Sequence, residues 1–302
     1  MDQASSDGYP RWRQLVTDAQ RALRPSPWAA RLAGWLPGAT DVRVDRHEIV
    51  IPELRAERPL RIAFASDFHA GPITPPHLLD LAVDRLIGAR ADLVLLGGDF
   101  VSLRAADAAL LVQRLATVPA PLGRYAVLGN HDHDSDGTAM TALLEAAGIT
   151  VLTNRSVRLP APFAGISVCG LDDHTMGAPD AGAAFAGAAP LRIVLMHAPS
   201  GLLDIGVHPF TVALCGHTHG GQLALPNGWP VLTACGPLSR RYSAGRYALA
   251  GGRTLLVSCG VGYTALPIRL NAPPSITLCT IEPAQDVSSR PASSSATDRA
   301  TR

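Results

Sequence analysis

The sequence predicts an α/β fold, a four-layer α/β/β/α sandwich in which two mixed sheets pack face to face with flanking helices. Three observations predict it. Residues 60–147 alternate short apolar runs with amphipathic helix-like stretches, the texture of successive βαβ units, which need right-handed crossovers and a mostly parallel sheet. After residue 150 the rhythm shifts to short strands joined by tight loops, enough for a second sheet. Within 92–100, the four apolar residues 93–96 read as a strand buried on both faces, and Gly97-Gly98 then turn the chain to leave Asp99 at its carboxyl end. Open α/β sheets place their chemistry at that end.

The elements follow in order. Residues 10–23 and 26–35 form two helix-like pieces carrying Trp12, Trp28 and Trp35 with Arg11, Arg13, Arg21, Arg24 and Arg31. Two readings stand for this segment, 1–40: peripheral contact with a membrane surface, or amphipathic helices docked on the main domain. Residues 42–54 alternate enough for an edge strand or hairpin, so 1–55 is an N-terminal extension and 56–283 the main domain. Strands are expected at 60–66, 93–96 and 124–128, with helices at 77–88, 107–117 and 137–147 between and after them. Further short strands are expected at 150–152, 157–159, 166–171, 191–196, 212–215, 222–225, 254–258 and 276–281. The Ala/Gly-rich stretch 178–189 reads as a loop or poorly formed helix, and 284–302 as a disordered tail with almost nothing to bury.

Composition narrows the function. At 302 residues with 47 % hydrophobic and 17 % charged, the chain has a large core to bury. A net charge of +1 and the lack of a basic stripe interleaved with aromatics argue against a nucleic-acid partner. Five cysteines without CxxC spacing argue against a disulfide framework and suit a reducing compartment; Cys169, Cys259 and Cys279 sit in apolar runs as inert buried thiols. No run of about 18 apolar residues or cleavable signal is evident, so the expected location is cytoplasmic, peripheral to the inner membrane if 1–40 binds there.

Five motifs each follow an expected strand: Asp67-Phe68-His69, Gly98-Asp99, Gly129-Asn130-His131-Asp132, Met196-His197 and Gly216-His217-Thr218-His219. Singly each is weak: His197 alone reads more readily as a core or cap histidine, and Asp67 as a helix cap. Together they bring two Asp, one Asn and four or five His to a common edge. No thiolate is among them, and the O/N donor mix suits Mn, Fe, Zn or Mg. So many donors exceed one ion's need, and a pair of divalent ions about 3.5–4 Å apart under a bridging carboxylate is the arrangement that clamps phosphoryl oxygens.

This ordered set resembles the calcineurin-like metallophosphoesterases. With Tyr125-Ala126-Val127-Leu128, Gly220-Gly221-Gln222 and Ala272-Pro273-Pro274, it resembles a bacterial subgroup related to UDP-diacylglucosamine pyrophosphatase-like phosphodiesterases, and the likeness extends to about residue 283. The resemblance implies Asp67, His69 and His219 on a first metal, Asp99 bridging, and Asn130, His197 and His217 on a second. It implies His131 beside the scissile phosphate, with Asp132 as the acceptor that orients His131 and fixes its tautomer. The implied activity is hydrolysis of a phosphodiester, pyrophosphate or phosphomonoester, with a lipid- or nucleotide-linked compound as the implied substrate, by a metal-bridging hydroxide. A non-catalytic metal-binding scaffold on the same fold is the alternative.

Cys259 and Ser275 depart from the subgroup, which has Arg and commonly an acidic residue there. Arg240, Arg241 and Arg269 are candidate replacements, each with a solvated surface role as the plainer expectation. His133 is expected on a loop surface, with contact to substrate as the alternative, and Asp172, Asp173 and His174 in turn and cap roles or lining the pocket. Leu225, Trp229 and Leu232 are read either as an apolar lip beside the last histidine motif or as core.

Overall fold

The computed structural model describes residues 41–231 and 233–284, so the expectations for 1–40, Leu232 and the tail from 285 lie outside the described residues. Twelve strands form two six-stranded sheets. The first runs in the order β1-β12-β2-β3-β4-β5, with β1 at Arg43–Ile51, β2 at Leu60–Ala65, β3 at Leu93–Leu96, β4 at Arg124–Ala126, β5 at Thr150–Val151 and β12 at Ser275–Pro283. Strand β12 is antiparallel to β2; all other pairs in this sheet are parallel. The second sheet runs β10-β11-β9-β8-β7-β6, with β6 at Arg155–Arg158, β7 at Ile166–Gly170, β8 at Leu191–Leu195, β9 at Val212–Cys215, β10 at Gly245–Ala248 and β11 at Thr254–Val257. Its outer strands β10 and β6 are antiparallel to their neighbours and its inner strands parallel.

Period-two alternation explains why these strands read as uninterrupted apolar runs. Ile62, Phe64, Leu93 and Leu95 face the second sheet and pack in one cluster with Ile193, Leu195, Val212 and Leu214. Their neighbours Ala63, Ala65, Val94 and Leu96 face outward onto helices α1 (Pro76–Ala89) and α2 (Ala109–Ala116), against Leu78, Val83, Leu86, Val112 and Leu115. Outside the second sheet, Val194, Ala213 and Leu255 pack on helix α4 (Ala181–Phe185) and Phe210. Sheet faces sheet, and both outer faces are covered.

The structure departs from the expected elements in three places. Residues 222–225 form no strand: Gln222 takes a left-handed φ of 57°, and only isolated bridges join Leu223 to Leu270 and Ala224 to Pro230. Strand β10 was not foreseen, because Gly-Arg-Tyr-Ala is too short for its alternation to stand out. Helix α3 spans Asn130–Ala146, starting seven residues before the expected helix, with a break at Asp136 (φ −177°, ψ 89°).

Candidate metal centre

The carboxyl ends of five strands deliver the site. Strands β2, β3 and β4 of the first sheet lead into Asp67 and His69, Asp99, and Asn130; β8 and β9 of the second lead into His197, and into His217 and His219. All seven side chains are buried. Five of them occupy the left-handed region, with φ of 54° at Asp67, 47° at His69, 53° at Asp99, 70° at His217 and 53° at His219. Such a conformation costs a non-glycine residue of order 1–3 kcal/mol and clusters at functional sites. Backbone bonds impose it: Asp67 N–H donates to the Gly98 carbonyl (2.9 Å) and His69 N–H to that of Asp99 (3.0 Å).

Two glycines are fixed by close approach. A Cβ on Gly216 would stand 2.1 Å from Asp67 Oδ2, and one on Gly129 2.3 Å from Asp99 Oδ1. The Asp67 carboxylate accepts from Ser66 Oγ (2.5 Å) and from His217 N–H (3.0 Å), tying the first sheet's loop to the second's. Asp99 Oδ1 accepts from His131 N–H (2.9 Å), and Asp99 Oδ2 lies 3.4 Å from both His69 Nε2 and His197 Nε2.

Hydrogen bonds settle two tautomers. His197 Nδ1 is 2.8 Å from the Gly97 carbonyl and His217 Nε2 is 2.7 Å from the Cys235 carbonyl; a carbonyl only accepts, so each of those nitrogens carries the proton. The remaining nitrogens, His197 Nε2 and His217 Nδ1, then face each other at 3.1 Å, and His197 Nε2 is also 3.1 Å from Asn130 Oδ1. Acceptors converge so closely only around a proton or a cation. A ring N–H given to a carbonyl is also the usual support of a metal-ligating histidine.

Three groups fit a metal geometrically: Asp67, His69 and His219; His69, Asp99 and His131; and Asp99, His197 and His217, with the donor atoms of each within 4.8 Å of one another. Burial pushes His69 down to about 3 and His217 to about 4, and lowers His219 as well, leaving their imidazoles neutral with lone pairs to give. Burial acts the same way on His197, but the Asp99 and Asp67 carboxylates outweigh it and raise its pKa. The donor set therefore fits divalent cations.

Two expectations need correction. Asp132 does not orient His131: its Oδ1 accepts from Phe100 N–H (2.8 Å) and Val101 N–H (3.3 Å), and its Oδ2 from Gly129 N–H (3.0 Å). The acceptor on His131 Nδ1 is the Ser102 carbonyl at 3.2 Å. Asp132 thus pins the loop after Asp99 to the start of α3, a role its place at the third helical position signals. Arg269 is not solvated. It is 3 % exposed, and its guanidinium donates to the carbonyls of Cys259 (2.8 Å), Ala272 (3.1 Å) and Gly262 and faces His219 Nδ1 at 3.0 Å. Nothing local in Ile268-Arg269-Leu270 announces this, because its partners come from four separate backbone positions.

The remaining candidates sort plainly. Arg240 and Arg241 are exposed. His133 is half-buried against Asp172, and Asp173 Oδ2 accepts from Thr175 and Met176 N–H as a turn carboxylate. His174 pairs with Asp204, and Leu225 and Trp229 are exposed rather than core.

An α/β sandwich with buried Asp, Asn and His at the ends of five strands defines a metal-dependent hydrolase class. Residues 60–221 match the calcineurin-like phosphoesterase family, and the chain belongs to it. It is 31 % identical over 176 residues to the metallophosphoesterase YkuE of Bacillus subtilis, a match covering 57 % of this chain and 60 % of that one. It is 34 % identical over 229 residues to the phosphodiesterase YaeI of Escherichia coli, covering 73 % of this chain and 81 % of that one. Among solved structures, the NAD nucleotidase NadN of Haemophilus influenzae matches with a TM-score of 0.44 and 17 % identity over 69 % of this chain and 46 % of that one. The chain spans 60 % of the length of the first of these relatives and carries the phosphoesterase domain of the family.

Proposed function

We propose that the protein hydrolyses a small phosphodiester or pyrophosphate at a binuclear centre, with Asp67, His69 and His219 on one divalent ion, Asn130, His197 and His217 on the other, and Asp99 shared. The observation that carries this reading is the position of Asp99 Oδ2, equidistant at 3.4 Å from a histidine nitrogen of each group. Nitrogen and oxygen atoms about 2.0–2.2 Å from one cation stand about 3–3.5 Å from each other, so one carboxylate oxygen here suits two coordination spheres. Divalent ions in this position supply a nucleophile of hydroxide strength near neutral pH and offset charge on phosphoryl oxygens. Mn, Fe, Zn and Mg all suit the donors.

The chain's own residues do the rest. With Nδ1–H given to the Ser102 carbonyl, His131 keeps Nε2 as the ring's free end, and its edge stands against His69 with ring centroids 4.8 Å apart. That end serves to hold a non-bridging phosphoryl oxygen or to pass a proton to the leaving alkoxide. Asp132 fixes the loop that carries Asp99 and so sets where the shared oxygen lies. A diester preference is favoured by the likeness to YaeI, a phosphodiesterase.

The test is turnover of bis-p-nitrophenyl phosphate by the full-length protein with added Mn. His131→Ala is expected to keep its metal and lose about 10²-fold or more in kcat. Bound metal with no turnover of any phosphoester would instead support the non-catalytic scaffold.

A further inference from the structure

The last histidine motif holds a loop against the outer side of the centre. His217 turns Nδ1 toward His197 and its opposite nitrogen, Nε2, onto the Cys235 carbonyl at 2.7 Å. The same carbonyl accepts from Ser239 Oγ (2.8 Å), so Ser239 stands two hydrogen bonds from the His217 ring. The chain returns two residues after Arg241, where the Ser243 carbonyl accepts from Thr218 Oγ1 at 2.6 Å. Between these ties Tyr242 N–H donates to the Leu238 carbonyl (3.0 Å), and the buried Tyr242 ring meets Tyr247 with centroids 4.9 Å apart. Residues 235–243 are thus a short loop clamped at both ends to His217 and Thr218. Between its buried residues Ser239 and Tyr242 it exposes Arg240 and Arg241.

Two adjacent guanidinium groups repel each other, and a nearby carboxylate relieves this. Arg58, Arg104, Arg114 and Arg155, also exposed, each pair with one. Arg240 and Arg241 pair with none among the described residues; Arg241 lies over the Tyr242 ring, 5.2 Å from its centroid. Nor does the neighbouring chain offer one. Residues 206–280 hold no Asp or Glu, in a sequence with 26 basic and 25 acidic residues in all. A cationic pair on a fixed loop with no counter-ion attracts an anion, and the planar fork of arginine matches phosphoryl oxygens.

Position selects which anion. The His217 ring separates the loop from the other candidate ligands, so the pair lies one imidazole outside the donor set. From there it reaches a group joined to the scissile phosphoryl rather than that phosphoryl itself. We propose that Arg240 and Arg241 are specificity-determining residues that bind a second phosphoryl group of the substrate. This rests on the phosphoesterase reading above and narrows it, because a substrate with one phosphoryl group leaves the pair unused.

The experiment is calorimetric titration of full-length His131→Ala, loaded with Mn so that ligand is held but not consumed. The probes are dimethyl phosphate and the symmetric dimethyl ester of pyrophosphate, two diesters that differ by one phosphoryl group. The pyrophosphate ester is expected to bind more tightly, and R240Q/R241Q to lower that affinity ratio about tenfold, the scale of a lost charge-assisted hydrogen bond. R240K/R241K should keep part of the ratio, and added salt should shrink it. Arg246→Gln controls for charge alone: it lies in the same acid-free stretch, but its guanidinium donates to the Glu48 carbonyl (2.8 Å), and the ratio should not move. Thermal unfolding of each variant checks its fold. A ratio near one with both arginines present, a ratio unchanged in folded R240Q/R241Q, or one that Arg246→Gln lowers as far overturns the proposal. Binding of neither ester overturns it together with the reading it rests on. Turnover of bis-p-nitrophenyl phosphate by the unaltered protein, with equal affinity for the two esters, overturns this proposal alone.

Discussion

His133 sits on the first turn of α3 with Nε2 at 2.9 Å from Asp172 Oδ1. The Asp172 hydrogen bond raises its pKa above the ordinary 6.5 against the opposing pull of burial. Burial would raise Asp172, but the bonds from His133 and from the Ala178 and Asp173 N–H groups outweigh it and hold the carboxyl below 3.8. A raised histidine stabilises the fold below its unfolded pKa and loses that contribution as pH climbs through the folded value; a lowered carboxyl does the reverse. The pair therefore stabilises most between the two. Asp172→Asn should drop the His133 midpoint below 6.5, followed by its ring proton resonances, and should cost more stability at about pH 5.5 than at about pH 8.5. An unmoved midpoint would remove Asp172 as the cause. This pairing was not visible in the sequence, where 39 positions separate the two residues. The seven candidate ligand positions were visible, because each follows a strand in a short motif. The carbonyls of Gly97, Ser102 and Cys235 that set the ring tautomers were not, since backbone acceptors leave no mark on residue identity.

Helix α3 shows how element boundaries divide between sequence and context. Its second part, from Gly137, is where side-chain pattern places a helix, and Asp136 caps it: Oδ1 accepts from Ala139 N–H at 3.0 Å. The first part, Asn130 to Ser135, is an Asn/His/Asp-rich turn with little helix propensity. It is helical because Asp132 accepts from Gly129 N–H and because His131 N–H meets Asp99. Function sets that turn and local preference sets the rest, so the break falls between them. Asp136→Ala is expected to destabilise the protein by about 1 kcal/mol in urea unfolding, the usual loss of an N-cap. Its Ala139 N–H would then depend on water alone. A change within error would show that the second part holds without its cap. The same logic accounts for 222–225: its apolar alternation favours a strand, but Gln222 must turn left-handed to place its amide on Thr264 and Leu266.

At the scale of the molecule, the centre lies on the seam between the sheets. Asp67, His69, Asp99 and Asn130 follow strands of the first sheet, while His197, His217 and His219 follow strands of the second. The seam brings His197 Nε2 and His217 Nδ1 to 3.1 Å and holds a buried Asp67 pushed up to about 6 by burial and by Asp99. Crowded donor atoms and a destabilised buried carboxylate are costs that the native state bears and the unfolded chain does not. A cation binding the assembled site relieves both and has no comparable site in the unfolded chain, so binding free energy becomes stability for both sheets together. At metal concentrations about 100-fold above Kd the gain is about 2.7 kcal/mol. Chelation should therefore lower Tm by several degrees in a single cooperative transition, with Mn restoring it. Asp99→Ala removes the carboxylate common to both groups, and its Tm should respond to neither chelator nor Mn. If chelation left the wild-type Tm in place, the seven side chains would be a buried polar network satisfied without metal, and the stabilising role of the cations across the two sheets would be lost.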